Sequence, residues 1–412
     1  MYSPFFYVIV AIIVIDFIME RGLDWLNTAW RSKPIPELLQ GIYNEEKYSK
    51  QQEYAKITDR FSLLTSTISF VVTLLFLFFQ GFDWLNTWLL GYFDNPVVIG
   101  LAFFGVLFLA VDIIGIPFDI YATFVIEERF GFNKSTPKLF ITDKLKGYLL
   151  SAFIGAIIYF VIFKLNAKWP TMFWIYAWCV VTFFMVFMAM FYSHLIVPLF
   201  NKQKPLPDGE LKEAIHLYAN KAGFKIKNIY EIDGSKRSTR ANAYFTGFGK
   251  FKRIVLYDTL IKELTTNELV AVLAHEIGHN KKKHTYIGLL ASTVQLALML
   301  FILSLFINKP ELSKALGSNQ TYFHLGLIAF AILYSPISTL SGLLMNLVSR
   351  HNEYQADSFA GATCNPDDLV SALKKLAANN LSNLMPHPMY VFINYSHPTL
   401  LQRIKKLKEH LL

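Results

Sequence analysis

Val97-Val-Ile-Gly-Leu-Ala-Phe-Phe-Gly-Val-Leu-Phe-Leu-Ala-Val-Asp112-Ile-Ile-Gly-Ile-Pro117 carries one charged side chain, Asp112, in a run long enough to cross a bilayer. A helix needs roughly 17 to 25 largely apolar residues to cover a hydrocarbon core of about 30 Å. Six further stretches meet that length: approximately Met1 to Met19, Phe61 to Phe79, Gly147 to Phe163, Met172 to Phe200, Tyr286 to Ile307 and Leu325 to Val348. They predict an all-α polytopic membrane protein with seven transmembrane helices. The first run is interrupted by Asp16. It starts Met1-Tyr-Ser-Pro and leaves through Glu20-Arg21, without the cationic start and small-residue cleavage site of a signal peptide, and so reads as a retained span.

The composition agrees. Of 412 residues, 54% are hydrophobic and only 17% charged, where a soluble chain carries about 25% charge. Thirty-seven Phe, 21 Tyr and 7 Trp exclude disorder, because they supply far more burial than chain entropy opposes. Two cysteines, Cys179 inside an apolar run and Cys364 far from it, cannot form a disulfide framework.

The net charge of +9 is explained by where the cations lie. Lys and Arg number seven in residues 20–60, none in 80–96, five in 118–146, two in 164–171, sixteen in 201–285, two in 308–324 and seven in 349–412. Rich and poor segments alternate as the positive-inside rule requires. The pattern predicts an N-terminus outside, a C-terminus ending at Leu412 in the cytoplasm, all long loops cytoplasmic, and no nucleic-acid partner. Lys281-Lys-Lys283, directly before a span, reads as an anchor at the inner surface.

Four regions follow: spans one to five over 1–200 with cytoplasmic loops 20–60 and 118–146; an insert at 201–285; spans six and seven over 286–348; and cytoplasmic helices over 349–412. The insert is too long for a connector. It opens with an amphipathic helix from Asp208 to a Gly223 stop. Three strand candidates follow, Asn228–Asp233, Ala241–Phe245 and Arg253–Tyr257, broken by Gly234, Gly247 and Gly249. Thr266-Asn-Glu-Leu opens a second helix, and the tail from Pro366 reads as short amphipathic helices.

That second helix carries His275-Glu-Ile-Gly-His279. Two imidazoles one turn apart share a face and can share a metal, with Glu276 beside it. A catalytic zinc takes three protein ligands and keeps one position open. Glu353 and Asp357, four residues apart after the last span, suit the third ligand and a carboxylate that accepts a zinc histidine's free ring N–H. Among the remaining ionisable groups, Asp16, Asp112 and His194 lie in or near spans, where a partner or a watery cavity is required. Glu128-Arg129 reads as a loop ion pair, and His284 as a residue off the metal face.

These motifs, with Glu128-Arg-Phe-Gly-Phe-Asn, Ala241-Asn-Ala-Tyr-Phe-Thr-Gly-Phe-Gly, Ser349-Arg-His-Asn-Glu-Tyr-Gln-Ala-Asp-Ser-Phe-Ala and Tyr395-Ser-His-Pro, occur in the order seen in the type I CAAX prenyl proteases, which the sequence resembles over nearly its whole length. The resemblance implies a gluzincin-type zinc metalloendopeptidase, its spans forming a cage around a large chamber and a cytoplasmic α+β insert carrying the metal. It implies one Zn2+ held by His275, His279 and Glu353, and peptide hydrolysis near the C-terminus of a prenylated substrate. Glu276 would be the general base, His397 the oxyanion donor, Asp357 the histidine's partner, and Asn242, Tyr244 and Arg350 the substrate contacts. The chain lacks the long insertions and extended tail of eukaryotic members, and compact loops suit a bacterial inner membrane; a eukaryotic member would sit in the endoplasmic reticulum. Two alternatives are a membrane quality-control zinc protease of the same clan, disfavoured by seven spans, and a transporter or channel with structural zinc. The latter would want a fourth ligand, usually Cys, and neither cysteine lies near the motifs.

Overall fold

The computed structural model describes residues 3–409 apart from 225, 227 and 248–251. Its first part is helical: α1 (Pro4–Trp30), α2 (Glu45–Phe78), the short α3 (Gly81–Leu90), α4 (Pro96–Tyr121, continued by a π-helical turn through Glu127), α5 (Pro137–Lys168), α6 (Phe173–Leu195) and α7 (Val197–Phe200). Side chains set many of the starts. Ser3, Asn44, Asn95 and Thr136 each accept a backbone N–H of the first turn, and Pro4, Pro96 and Pro137 occupy positions where no N–H is needed. The run from Met172 to Phe200 divides at Ile196, where Pro198 cannot donate to the preceding turn.

Strand β1 (Gln203–Pro205), α8 (Glu210–Lys221), β2 (Ile229–Ile232), β3 (Ala243–Thr246), β4 (Arg253–Tyr257), α9 (Asp258–Glu263) and α10 (Thr266–Lys281) follow. Among the described residues the sheet has four strands rather than the three expected, because β1 is three residues long, ends on Pro205 and shows no alternation. The order β1-β2-β4-β3, with β2 parallel to β4 and the other pairs antiparallel, leaves β3 at an edge. Gly223 stops α8 with φ of +61°, whereas Gly249 of the expected strand break, with Phe248, lies outside the described residues. The chain closes with α11 (His284–Phe306), α12 (Pro310–Ala315), α13 (Phe323–Thr363) and the short tail helices α14 (Pro366–Asn379), α15 (Pro388–Asn394) and α16 (Leu400–Lys408).

Six helices among the described residues are long and apolar enough to cross a membrane: α2, α4, α5, α6 with α7, α11 and α13. The expected seventh, at the N-terminus, is not among them. Its helix forms, yet Asp16, Glu20, Arg21 and Asp24 charge it too heavily, and Met1 and Tyr2 lie outside the described residues. Even so α1 runs alongside the others from end to end. Phe6 is buried with Leu85 and Leu89 at one end, and Asn27 Oδ1 accepts from the backbone of His387 at 3.0 Å near the other.

Two large cores, with a small third cluster of Ile126, Phe130, Phe132 and Leu381, hold the described residues together. One joins Phe6, Leu85, Phe103, Leu312 and Leu325, and the other joins Ile254, Leu256, Leu273, Ile277, Leu369 and Ile404. Between them the helices are thinly packed. The 34 residues of α2 bury only Gln51, Ala55 and Leu77, and α5 buries only Tyr159 and Asn166. The cation-poor segments meet at the first core, where His324 Nε2 lies 2.8 Å from Asn86 Oδ1 and Asn166 Nδ2 donates to Asn308 at 2.9 Å. The sheet, α10 and the tail build the second.

Candidate metal centre

The metal motif sits on α10, whose start is fixed by reciprocal capping: Thr265 accepts from Glu268 N, and the Glu268 carboxylate accepts from Thr265 N at 2.8 Å. Glu268 also accepts from Ser371 Oγ at 2.7 Å and Lys375 Nζ at 2.8 Å, which ties α10 to α14. In the last turn of α10, Gly278 allows a close crossing. A Cβ there would lie 3.1 Å from both Cα and O of Ala356 on α13. The last membrane-length helix continues unbroken to Thr363, so Glu353, one turn before Ala356, is delivered to the histidines by the span itself.

The resulting geometry is a cluster of lone pairs. His275 Nε2 and His279 Nε2 are 3.1 Å apart, and Glu353 lies 3.4 Å from the first and 3.2 Å from the second. His275 Nδ1 lies 2.8 Å from Asp357 Oδ1, so that ring's proton sits on Nδ1 and its Nε2 is bare. Glu353 Oε2 is buried and has no hydrogen-bond partner among the described residues. Two imidazoles and a carboxylate converging in this way suit a cation. Burial would raise the Glu353 and Asp357 carboxyls, but the histidines and Arg403 outweigh it and hold both below the ordinary range.

A cavity of about 550 Å³ adjoins the cluster, lined by Asn242, His275, Glu276, His279, Glu353 and His397, among others. Burial pushes the Glu276 carboxyl above its ordinary range against the pull of the two histidines. His397 reaches in from the segment before α16. Its Nε2 is 3.3 Å from Glu353, its side chain is 61% exposed, and its Nδ1 is 2.9 Å from Ser396 Oγ. Leu260, Val272, Leu369, Leu373 and Leu376 form an apolar wall, while Gly288, Met345 and Val348 lead toward the helix bundle.

Residues 205–411, which carry all of these groups, match peptidase family M48, and residues 24–202 match the CAAX prenyl protease N-terminal family, described as having five membrane helices. The chain belongs to the CAAX prenyl protease group of family M48. Its similarity to curated members runs end to end: 35% identity to the CAAX prenyl protease 1 homolog of Arabidopsis thaliana, over 98% of this chain and 97% of that protein, and 34% to CAAX prenyl protease 1 of Saccharomyces cerevisiae, over 90% and 88%. The crystal structure of S. mikatae Ste24p superposes with a TM-score of 0.94 at 32% identity, covering 99% of this chain and 100% of that one. As an M48 CAAX prenyl protease the chain is a multi-pass membrane metalloendopeptidase. Its compactness does not set it apart from all eukaryotic members, since the plant protein is matched over nearly its whole length.

Several motifs of this CAAX prenyl protease act behind the metal cluster. In Glu128-Arg-Phe-Gly-Phe-Asn the expected Glu128–Arg129 pair does not form: Asn133 Nδ2 donates to Glu128 at 2.9 Å, and Arg129 pairs with Glu53. The loop instead pairs with the chain entering β3, through Lys134 N to Arg237 O at 3.0 Å and Thr239 N to Phe132 O at 3.1 Å. Arg240 caps that junction, donating to Glu127 and Tyr54. Tyr244 faces away from the cavity, since alternation along β3 puts it opposite Ala243 and Phe245; its hydroxyl accepts from Gln203 at 3.4 Å. Arg350 donates to the carbonyls of Val391 at 3.1 Å, Phe392 at 3.3 Å and Tyr395, and so anchors the segment that presents His397.

Arg403 is a site residue that sequence reasoning passed over. Its guanidinium straddles Asp357 with contacts of 2.9 and 2.7 Å. The signal was available, because Arg403 occupies the apolar face marked by Leu400, Ile404 and Leu407, where a cation needs a buried partner. Of the groups placed within spans, Asp16 accepts from Ser335 at 3.1 Å and Asp112 pairs with Lys144 at 2.9 Å.

Proposed function

We propose that this CAAX prenyl protease uses one zinc ion, held by His275, His279 and Glu353, to cut near the C-terminus of prenylated peptides that approach from the cytoplasmic side. The observation that carries the metal assignment is the pair of facing Nε2 atoms 3.1 Å apart beside the unpartnered Glu353 Oε2. Nitrogen and oxygen donors in a set of three suit zinc with an open position. Bound zinc supplies a Lewis acid and lowers the pKa of water to about 7.

The protein's own groups do the rest. Asp357, neutralised by Arg403, accepts the Nδ1–H of His275 and fixes that ring. Glu276 takes the proton of the attacking water and passes it to the leaving amine. His397 donates from Nε2 to the oxyanion while its Nδ1 accepts from Ser396. An extended peptide adds to the open edge of β3 beside Asn242. Tyr244 and Arg350 serve that binding from behind, one holding the sheet and the other the His397 segment.

Prenyl recognition is supported by the names of the relatives and by the cavity's apolar side leading past Met345 and Val348 to the thinly packed middle of the bundle, which we take as the chamber. The end-to-end course of α1 and the five-helix description of the matched N-terminal family support seven spans. The collection of the cation-poor segments at one end supports an N-terminus outside and a cytoplasmic C-terminus, although Leu412 itself lies outside the described residues. The site is tested by two variants: Glu276→Gln should retain stoichiometric zinc and lose hydrolysis, and Glu353→Ala should lose the zinc. Hydrolysis by zinc-loaded Glu276→Gln would exclude Glu276 as the base.

A further inference from the structure

His284 stands outside the ligand group, yet it touches the far nitrogen of ligand His279 and lines the same cavity. It is the first residue of α11, and the turn that precedes it is strained: Lys283, a non-glycine, has φ of +61°. That left-handed residue breaks α10 from the membrane helix and folds the His284 ring back onto the motif. His284 Nδ1 lies 3.0 Å from His279 Nδ1, its Nε2 lies 3.0 Å from Gln355 Oε1, and Gln355 Nε2 lies 2.8 Å from His351 Nε2. His284 is buried, whereas His351 is exposed.

The proton positions follow from one end of this chain. His279 turns Nε2 toward His275 and Glu353, so that atom must be bare to ligate and the proton sits on Nδ1. His284 Nδ1 must then accept, which places its own proton on Nε2, pointed at the Gln355 carbonyl oxygen. The Gln355 amide completes the sequence by donating to His351. Every donor meets an acceptor in a single direction, from the metal ligand across α13 to the far side of that helix.

We propose that His284 is the positioning residue of ligand His279, as Asp357 is of His275, and that Gln355 holds His284 in the accepting tautomer. This rests on the zinc assignment above. The two ligands then differ in backing: His275 leans on a carboxylate bound to Arg403, and His279 leans on a neutral imidazole. Without His284 the Nδ1–H of His279 would lose its partner in a half-buried site and the ring would be free to rotate. Loss of such a partner weakens metal binding by about 10- to 100-fold.

The experiment measures zinc affinity by chelator competition, and the thermal melting of the metal-free protein, for the full-length wild type, His284→Phe and His284→Asn. Phe keeps a ring but has no acceptor; Asn can accept from His279 and donate onward. The proposal expects one tight zinc in wild type, a 10- to 100-fold loss in His284→Phe, partial recovery in His284→Asn, and metal-free melting temperatures that agree. Wild-type affinity in His284→Phe would overturn it, and so would a metal-free melting temperature lowered enough to account for the lost zinc. Failure of the wild type to bind zinc would instead overturn the metal assignment, so the two failures are distinguishable.

Discussion

Gly278→Ala reads out the close helix crossing on which the third ligand depends. The new Cβ would stand 3.1 Å from Cα and O of Ala356 and 3.2 Å from Cβ of Phe359. Comfortable carbon contacts lie at about 3.5–4.0 Å, so α13 would have to retreat by roughly 0.4 Å or more. All three neighbours are backbone or Cβ atoms of a long helix, which cannot rotate aside. Glu353 moves with them, and a shift of that size exceeds the ±0.2 Å or so within which a metal site keeps its distances. Overpacking costs about 1–3 kcal/mol, and a 10- to 100-fold loss of zinc affinity lies in the same range at about 1.4–2.8 kcal/mol. Helix propensity acts with the opposite sign: in an open helix interior, Gly to Ala stabilises by about 1 kcal/mol. The assay is thermal melting of the metal-free protein together with chelator competition for zinc. A variant that melts no lower than wild type and binds zinc as tightly would show that the crossing does not constrain Glu353, because propensity would then be the only effect present.

Two further outcomes follow from the same geometry. His397→Ala should lower kcat about 100- to 1,000-fold with little change in KM, zinc content or melting temperature, since an oxyanion donor acts only as charge develops; near-normal turnover per zinc-loaded molecule would move the donor elsewhere. Single cysteines placed in 80–96 and in 258–263, on a background without Cys179 and Cys364, should label from opposite sides of the membrane, the first from outside; labelling of the second from outside would invert the topology.

Much of the site was legible because its chemistry repeats at helical spacing. His275 and His279 fall one turn apart, as do Glu353 and Asp357, and the structure brings three of the four within ligand distance. The membrane helices were legible from length and apolarity, but their ends were not. Once a helix is nucleated it continues past the apolar run until a cap or break stops it, so the span read as Leu325 to Val348 is a helix of 41 residues. What escaped were relations across elements. Arg403 takes its role from Asp357, 46 residues away in sequence. The placement of His284 depends on a left-handed Lys283 that helical periodicity cannot foresee, and the Glu128 loop gains its meaning only by pairing with residues 237–239. The N-terminal helix shows the same limit from the other side, since its charge count keeps it from the membrane-length apolar set while its packing carries it the length of the bundle.

A zinc-dependent cut in a prenylated peptide is tested on purified full-length protein with two peptides identical except for the prenyl group. Cleavage products are measured beside zinc content in the same preparation, before and after chelation. The expected result is one zinc per chain, cleavage near the C-terminus that favours the prenylated peptide, and loss of activity with the metal, restored on its return. Equal cleavage of both peptides would contradict prenyl recognition, and cleavage that persists in metal-free protein would contradict the mechanism itself.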